Sequence, residues 1–359
     1  MIPQQLSDKI LKKNIPISAM FELTWRCNLK CIHCFQCPPT NEELTTEEIK
    51  KILDQLAEAG CLFLTFTGGE PLLRKDFFEI AEYAQEKKFV VTLYTNGTLI
   101  TPEIAEKISK TNFLYVQISL HGATPKTHDK ITKVEGSFYK TIEAIKILKN
   151  KGVKVGIATT IMKPNFSELE KIEELHHHLA TDESRFSPMV YPTNEGNKEP
   201  LKLNLEYEQL KTFFSFIFKK NMNSLEKRSI IRGLWCGAGR SGCCINAKGE
   251  VYPCVALPIS VGNLKKETFK KIWSTAPLLK WIRTKNVSDL KECQSCELAY
   301  YCCRCSALAY WEGNGLLDPA SSCCQQAKAL KEVADERKKD KKEVFQAEVS
   351  SKENYCSLL

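Results

Sequence analysis

Phe21-Glu22-Leu23-Thr24-Trp25-Arg26-Cys27-Asn28-Leu29-Lys30-Cys31-Ile32-His33-Cys34 begins as an alternation of apolar and polar residues and breaks into three cysteines within eight positions. The alternation predicts a strand over Phe21–Thr24 that delivers a loop of thiols at its C-terminal end. The same punctuation recurs downstream. Ile49, Ile52, Leu53 and Leu56 have helical spacing within 47–59, and a buried strand over 61–66 then runs into Gly68-Gly69. Helices over 77–88, 102–109, 139–149 and 166–179 alternate with strands over 90–94, 115–119, 154–160 and 186–191. Such alternation predicts parallel strands. The fold class is therefore α/β, a partial (β/α)6 TIM-like barrel over 21–191. A flat Rossmann sheet is disfavoured because Cys27, Glu70, Asn96 and Ser119 all fall just beyond strand C-terminal ends, where barrel sites assemble.

Around this barrel the chain reads as a lead-in over 1–20 and a linker over 192–235 with an amphipathic helix at 205–219. A small cysteine-rich domain follows over 236–324, then a charged tail over 325–359, expected as a solvated helix fading into disorder. With 359 residues, 43% hydrophobic and 26% charged, the chain has the composition of a folded protein. Its net charge of +8 is spread rather than striped, which gives no sign of nucleic-acid binding. No apolar run reaches the ~18 residues of a membrane span and 1–20 lacks a signal-peptide core, so the expectation is a cytoplasmic protein without membrane attachment. The terminal Cys356-Ser357-Leu358-Leu359 formally matches a prenylation box but has no supporting signal.

Cysteine is the anomaly, with 17 in the chain and eleven of them between 236 and 324. A secreted disulfide scaffold fits badly without an export signal and with so large a core. Metal ligation by thiolates fits better. Cys27, Cys31 and Cys34 offer three ligands in a C-x3-C-x2-C loop, which leaves one iron of a four-iron cluster open for a small molecule. Cys37 as a fourth ligand would close it. Zinc prefers paired spacings with a distant second pair. In the second region Cys236, Cys243-Cys244, Cys254, Cys293, Cys296, Cys302, Cys303, Cys305 and Cys323-Cys324 are dense enough to point to metal as well. Cys61, inside an apolar strand, reads as a small buried hydrophobe. His176-His177-His178 reads as helix surface, since consecutive helical residues diverge by about 100°.

On these residues the chain resembles the radical S-adenosylmethionine (SAM) enzymes, whose cluster loop carries an aromatic residue at the place of His33. Thr67-Gly68-Gly69-Glu70-Pro71 stands where the family has its GGE motif, and Thr95-Asn96-Gly97 and Ser119-Leu120-His121-Gly122 follow the next strands in the same manner. The resemblance implies a [4Fe–4S] cluster on Cys27, Cys31 and Cys34 with SAM chelating its open iron. It also implies cofactor contacts from His33, Gly68, Gly69, Glu70, Asn96, Ser119 and Lys140. The cysteine-rich region resembles the SPASM extension, which implies two auxiliary iron–sulfur clusters. One would take Cys236, Cys243 or Cys244, Cys254 and Cys305, and the other Cys293, Cys296, Cys302 and Cys323 or Cys324. Cys302-x2-Cys305 departs from the extension's usual longer step, and Cys303 intrudes.

By resemblance to the group of the pyrroloquinoline quinone maturase and the sactipeptide synthases, the activity would be reductive cleavage of SAM to a 5′-deoxyadenosyl radical. That radical would then oxidise or cross-link a ribosomally made peptide. The partners implied are the peptide, a flavodoxin- or ferredoxin-type electron donor and, because 1–20 is short, a separate leader-recognition protein or direct binding of the core peptide. The alternatives are a porphyrin-modifying enzyme of haem biosynthesis, a sulfatase-type maturase and a non-catalytic iron–sulfur carrier. No catalytic acid or base stands out in the sequence.

Overall fold

The computed structural model describes residues 4–36, 38–40, 42–179, 181–220, 236–313 and 315–340. After a helix α1 (Gln4–Lys13), strand β1 (Ser18–Thr24) starts the alternation: α2 (Thr46–Glu58), β2 (Phe63–Gly68), α3 (Phe77–Glu86), β3 (Val90–Thr95), α4 (Pro102–Lys110) and β4 (Val116–Ser119). Two helices, α5 (Pro125–Thr132) and α6 (Ser137–Asn150), then lead to β5 (Val155–Thr160), α7 (Leu169–His178) and β6 (Glu183–Ser187). Strands β1 to β6 lie side by side in sequence order and every neighbouring pair is parallel. This is the expected partial barrel.

Alternation along the strands divides the side chains between two faces. Phe21 and Leu23 of β1, Leu64 and Phe66 of β2, and Val91 and Leu93 of β3 are buried in one core with Ile49, Ile52, Leu53 and Leu56 of α2 and Phe77, Ile80, Ala81 and Ala84 of α3. Each of the large side chains among these contributes about 1.5–3 kcal/mol on leaving water. Helix α2 starts where a reciprocal cap can form. Thr45 Oγ1 accepts from Glu48 N–H at 3.3 Å, and the Glu48 carboxylate accepts from Thr45 N–H at 2.8 Å.

The cysteine-rich region extends this same sheet. Helix α8 (Tyr207–Lys220) is followed by β7 (Gly242–Ile245), β8 (Glu250–Tyr252) and β9 (Gly262–Asn263), and the nine-stranded order is β6-β5-β4-β3-β2-β1-β7-β8-β9. Strand β7 pairs parallel with β1, from Ser18 opposite Gly242 to Phe21 opposite Ile245, and β8 then returns antiparallel. Helices α9 (Phe269–Thr275), α10 (Pro277–Thr284), α11 (Ser306–Trp311) and α12 (Ser321–Asp340) complete the described chain.

Three local expectations are corrected. The sixth strand spans 183–187 rather than 186–191, because Pro188 has no N–H for the ladder. The tail is not a solvated helix over its described length. Ala327, Ala329, Leu330, Val333 and Ala334 of α12 share a second core with Leu210, Phe213, Phe214 and Phe216 of α8 and with Phe186. His176 is buried rather than on the helix surface, stacking on Phe186 with ring centroids 4.9 Å apart and meeting Thr159 Oγ1 at 3.1 Å. The expected fading of the tail beyond Asp340, including Cys356, lies outside the described residues. Cys61 is buried, as expected.

The α8–α12 packing gives a stability test. Leu330→Ala should cost about 2–5 kcal/mol in urea unfolding, the usual loss for a buried leucine. Gln325→Ala, at an exposed position of the same helix, should change stability by less than about 0.5 kcal/mol. A solvated tail would give equal, negligible values.

Candidate functional site

The cluster loop leaves the end of β1 through a register irregularity between Glu22 and Thr24, opposite Gly68. Two main-chain bonds then fasten it to the glycine segment: Gly69 N–H donates to Thr24 O at 2.7 Å, and Glu70 N–H donates to Arg26 O at 2.8 Å. No side chain fits between. A Cβ on Gly68 would overlap the Thr24 carbonyl and one on Gly69 the Arg26 carbonyl, and Gly68 also has φ +137°. The far side of the loop is held by Lys30 N–H and Ile32 N–H, which donate to Thr132 O and Ile131 O at 2.9 and 3.0 Å.

Glu70 is fully buried, and its carboxylate accepts from Thr95 Oγ1 at 2.7 Å, Asn96 N–H at 2.8 Å and Leu72 N–H at 3.1 Å. Burial outweighs these bonds and pushes its carboxyl up to about 7. Glu70 thus clamps the end of β3. Asn96 in turn donates from Nδ2 to Asn28 Oδ1 at 2.9 Å and approaches Cys27 Sγ at 3.8 Å, so its side chain steadies the loop. Ser119 is half-buried at the end of β4. Lys140 is not brought in: it is exposed on α6, while its neighbour Thr141 is buried and donates Oγ1–H to Asn96 O at 3.1 Å.

His33 belongs to a row of three imidazoles. Its ring meets His121 edge-on with centroids 4.5 Å apart, and His121 stacks on His128 at 6.1 Å. His128 Nδ1 accepts from His121 N–H at 3.1 Å, which fixes its tautomer with the proton on Nε2. Burial holds all three below the ordinary imidazole range, with His33 and His128 at about 4. They are neutral at pH 7. Sequence reasoning gave His121 and His128 no role, although the spacing from a strand end to the first turns of α5 is a readable signal. Glu22 is a second buried carboxylate that it missed, accepting from Trp25 Nε1–H at 3.1 Å and Gln36 Nε2–H at 2.8 Å.

In the cysteine-rich region, Gly249 at φ +82° turns β7 into β8 and carries the chain to Cys254. Cys254 neighbours Cys236 and Cys305, and burial first, then these thiols, pushes it up to about 12. Cys244 faces Cys254. Cys243, on the opposite face of β7, lies in the apolar core beside Cys61, so the strand's alternation turns it away from the other thiols. Cys324 neighbours Cys293 and Cys296, whereas Cys323 is buried beside Cys302 and Cys305. Arg304 lies between these groups, near Cys236, Cys293 and Cys324. Its guanidinium donates to Ser306 Oγ at 2.9 Å and to Leu316 O and Asp318 O, each at 2.7 Å. Cys303 is disulfide-bonded and supplies no free thiol. Cys37 lies outside the described residues.

The donor chemistry fits iron–sulfur clusters. Burial keeps these thiols protonated unless a cation compensates the thiolate, and bound iron does so. Among the described residues no three His, Cys, Asp or Glu side chains converge on one ion. Cluster thiolates bind separate irons and need no common point.

Comparison with known proteins agrees. The profile of the radical SAM superfamily matches residues 21–179, and that of the SPASM iron–sulfur cluster-binding domain matches 236–297. The AdoMet-dependent heme synthase of Methanosarcina barkeri is 31% identical over 88% of this chain and 98% of its own length. The mycofactocin maturase MftC of Mycobacterium tuberculosis is 30% identical over 86% of this chain and 83% of its own. In fold, Streptococcus suis SuiB, solved bound to precursor peptide SuiA, superposes with a TM-score of 0.69 at 19% identity, over 89% of this chain and 80% of that one. The chain belongs to the radical SAM superfamily and carries a SPASM domain. It is an enzyme of that superfamily, working with a [4Fe–4S] cluster, SAM and auxiliary iron–sulfur clusters.

The two faces of β7 yield a test of the thiols. Cys244→Ala should lower iron content by one cluster, read by iron and sulfide analysis. Cys243→Ala should leave the iron unchanged and cost about 1 kcal/mol of stability, as for a small buried apolar group.

Proposed function

We propose that this enzyme oxidatively modifies or cross-links a ribosomally made peptide. The observation that carries the reading is the sheet edge. The parallel sheet ends at β6, and among the described residues no further strand pairs with its outer side. An extended peptide gains main-chain hydrogen bonds at such an edge, whereas a planar macrocycle gains nothing there. Kinship with the mycofactocin maturase points the same way. The net charge of +8 favours an acidic leader and salt-dependent association.

Cys27, Cys31 and Cys34 would hold the first cluster, which together with SAM supplies radical chemistry by one-electron reduction. Gly68 and Gly69 would let ligand groups approach the main chain closely. Glu70 keeps the end of β3 in place through Thr95 and Asn96. Cys236, Cys244, Cys254 and Cys305 would hold one auxiliary cluster, with Cys293, Cys296, Cys302 and Cys324 holding the other. The neutral imidazoles of His33, His121 and His128 present an uncharged wall on one side of the loop. A flavodoxin- or ferredoxin-type donor would supply electrons, and the peptide would arrive with a leader-recognition protein or bind directly by its core. We place the reaction in the cytoplasm, whose reducing conditions favour iron ligation at the cluster cysteines. Among the described residues no helix is long and apolar enough to cross a membrane.

A porphyrin substrate is the second reading, favoured by the 31% identity to a heme synthase matched over 98% of its length. Anaerobic turnover of peptides encoded beside this gene, followed by mass spectrometry, separates the two. A loss of two hydrogens or another defined mass change supports the peptide; unchanged peptides beside a modified porphyrin reject it. Independently, replacing Cys27, Cys31 and Cys34 with alanine should abolish formation of 5′-deoxyadenosine and remove about four of about twelve irons, by the cluster arithmetic. Full cleavage in that variant would contradict the assignment.

A further inference from the structure

An aromatic pair links the auxiliary thiols to the first cluster's loop. Tyr191 follows β6 beyond Pro188, and its ring stands edge-on to Phe35, the residue after Cys34, with centroids 6.4 Å apart. The ring also packs against Leu308, Ala309, Ala320 and Cys323. Its hydroxyl donates to Met189 Sδ at 3.3 Å, and the thiols of Cys305, Cys254 and Cys323 are close by. A phenol carries one proton and donates it to one partner at a time. Thioether sulfur is a weak acceptor, whereas an iron-bound thiolate carries negative charge and forms the stronger, charge-assisted bond.

We propose that Tyr191 is a positioning residue for the auxiliary cluster on Cys236, Cys254 and Cys305. Its hydroxyl donates to Cys305 Sγ and its ring fixes that end of the SPASM region against Phe35. The inference rests on the ligand assignment proposed above. A hydrogen bond to a cluster sulfur withdraws charge and stabilises the reduced state, so this bond raises that cluster's potential above its value without the bond. Met189 serves as the resting acceptor, keeping the hydroxyl aimed while the thiol is unmetallated.

The test uses the full-length, anaerobically reconstituted chain with Cys27, Cys31 and Cys34 replaced by alanine, so that only auxiliary clusters contribute signals. Redox titration followed by electron paramagnetic resonance should show that Tyr191→Phe keeps its iron and moves one of two midpoint potentials to more negative values, leaving the other in place. Met189→Leu, which retains the hydroxyl, should move neither potential negatively. Trifluorotyrosine at position 191, a stronger donor of nearly the same shape, should move the same potential positively. Unchanged potentials in both the phenylalanine and the fluorinated forms would overturn the inference. Cys305→Ala keeps the two readings apart. If that variant retains all auxiliary iron, the ligand assignment fails. If it loses a cluster while Tyr191→Phe moves no potential, the inference alone fails.

Discussion

The active end of the barrel depends on a close approach of two main chains. Thr24 and Arg26 offer carbonyls to the N–H groups of Gly69 and Glu70, and only residues without a Cβ fit at 68 and 69. This contact makes the three-cysteine loop and the glycine segment one rigid piece. Glu70 carries the constraint onward, because its buried carboxylate takes the Thr95 hydroxyl and the Asn96 N–H. Asn96 returns it to the loop through Asn28 and Cys27. The ring of contacts closes on itself, so a small change at Gly68 or Gly69 would displace thiols, turn and strand together. A site held this way is pre-organised before any cofactor arrives.

Strand β1 is the second organising element. On one side it pairs with β2, which brings the glycine segment, and on the other with β7, which brings Cys244. Both sets of thiols are therefore indexed to one strand, and the buried Glu22 on it is close to Cys34 and to Cys244. The SPASM region is not tethered at a distance from the barrel; it shares the sheet and the main apolar core.

The barrel and the first thiol loop could be read from the sequence because their signals are local. Periodicity in 47–59, a strand ending in two glycines, and three cysteines within eight positions each need only a short window. What the sequence hid is long-range. Pairing of β7 with β1 joins residues more than two hundred positions apart, and no spacing records it. The tail's charge concealed the small apolar residues that seat α12 on α8. Lys140, a cofactor contact implied by the family resemblance, is exposed on α6, and the buried residue at that turn is Thr141. The sequence does not distinguish Cys243 from Cys244, whereas strand alternation puts Cys243 in the core and Cys244 towards Cys254. The imidazole row and Glu22 were overlooked because their partners come from three separate elements.

The central claim is that the three-cysteine loop, locked to Gly68-Gly69-Glu70, leaves one iron open to SAM. Electron–nuclear double resonance on the reduced, reconstituted enzyme tests this directly, using SAM labelled with 15N at its amino group. A resolved 15N coupling that disappears with unlabelled cofactor is the predicted result. A cluster spectrum that does not respond to SAM and shows no such coupling, as four-cysteine ligation completed by Cys37 would give, would contradict the account.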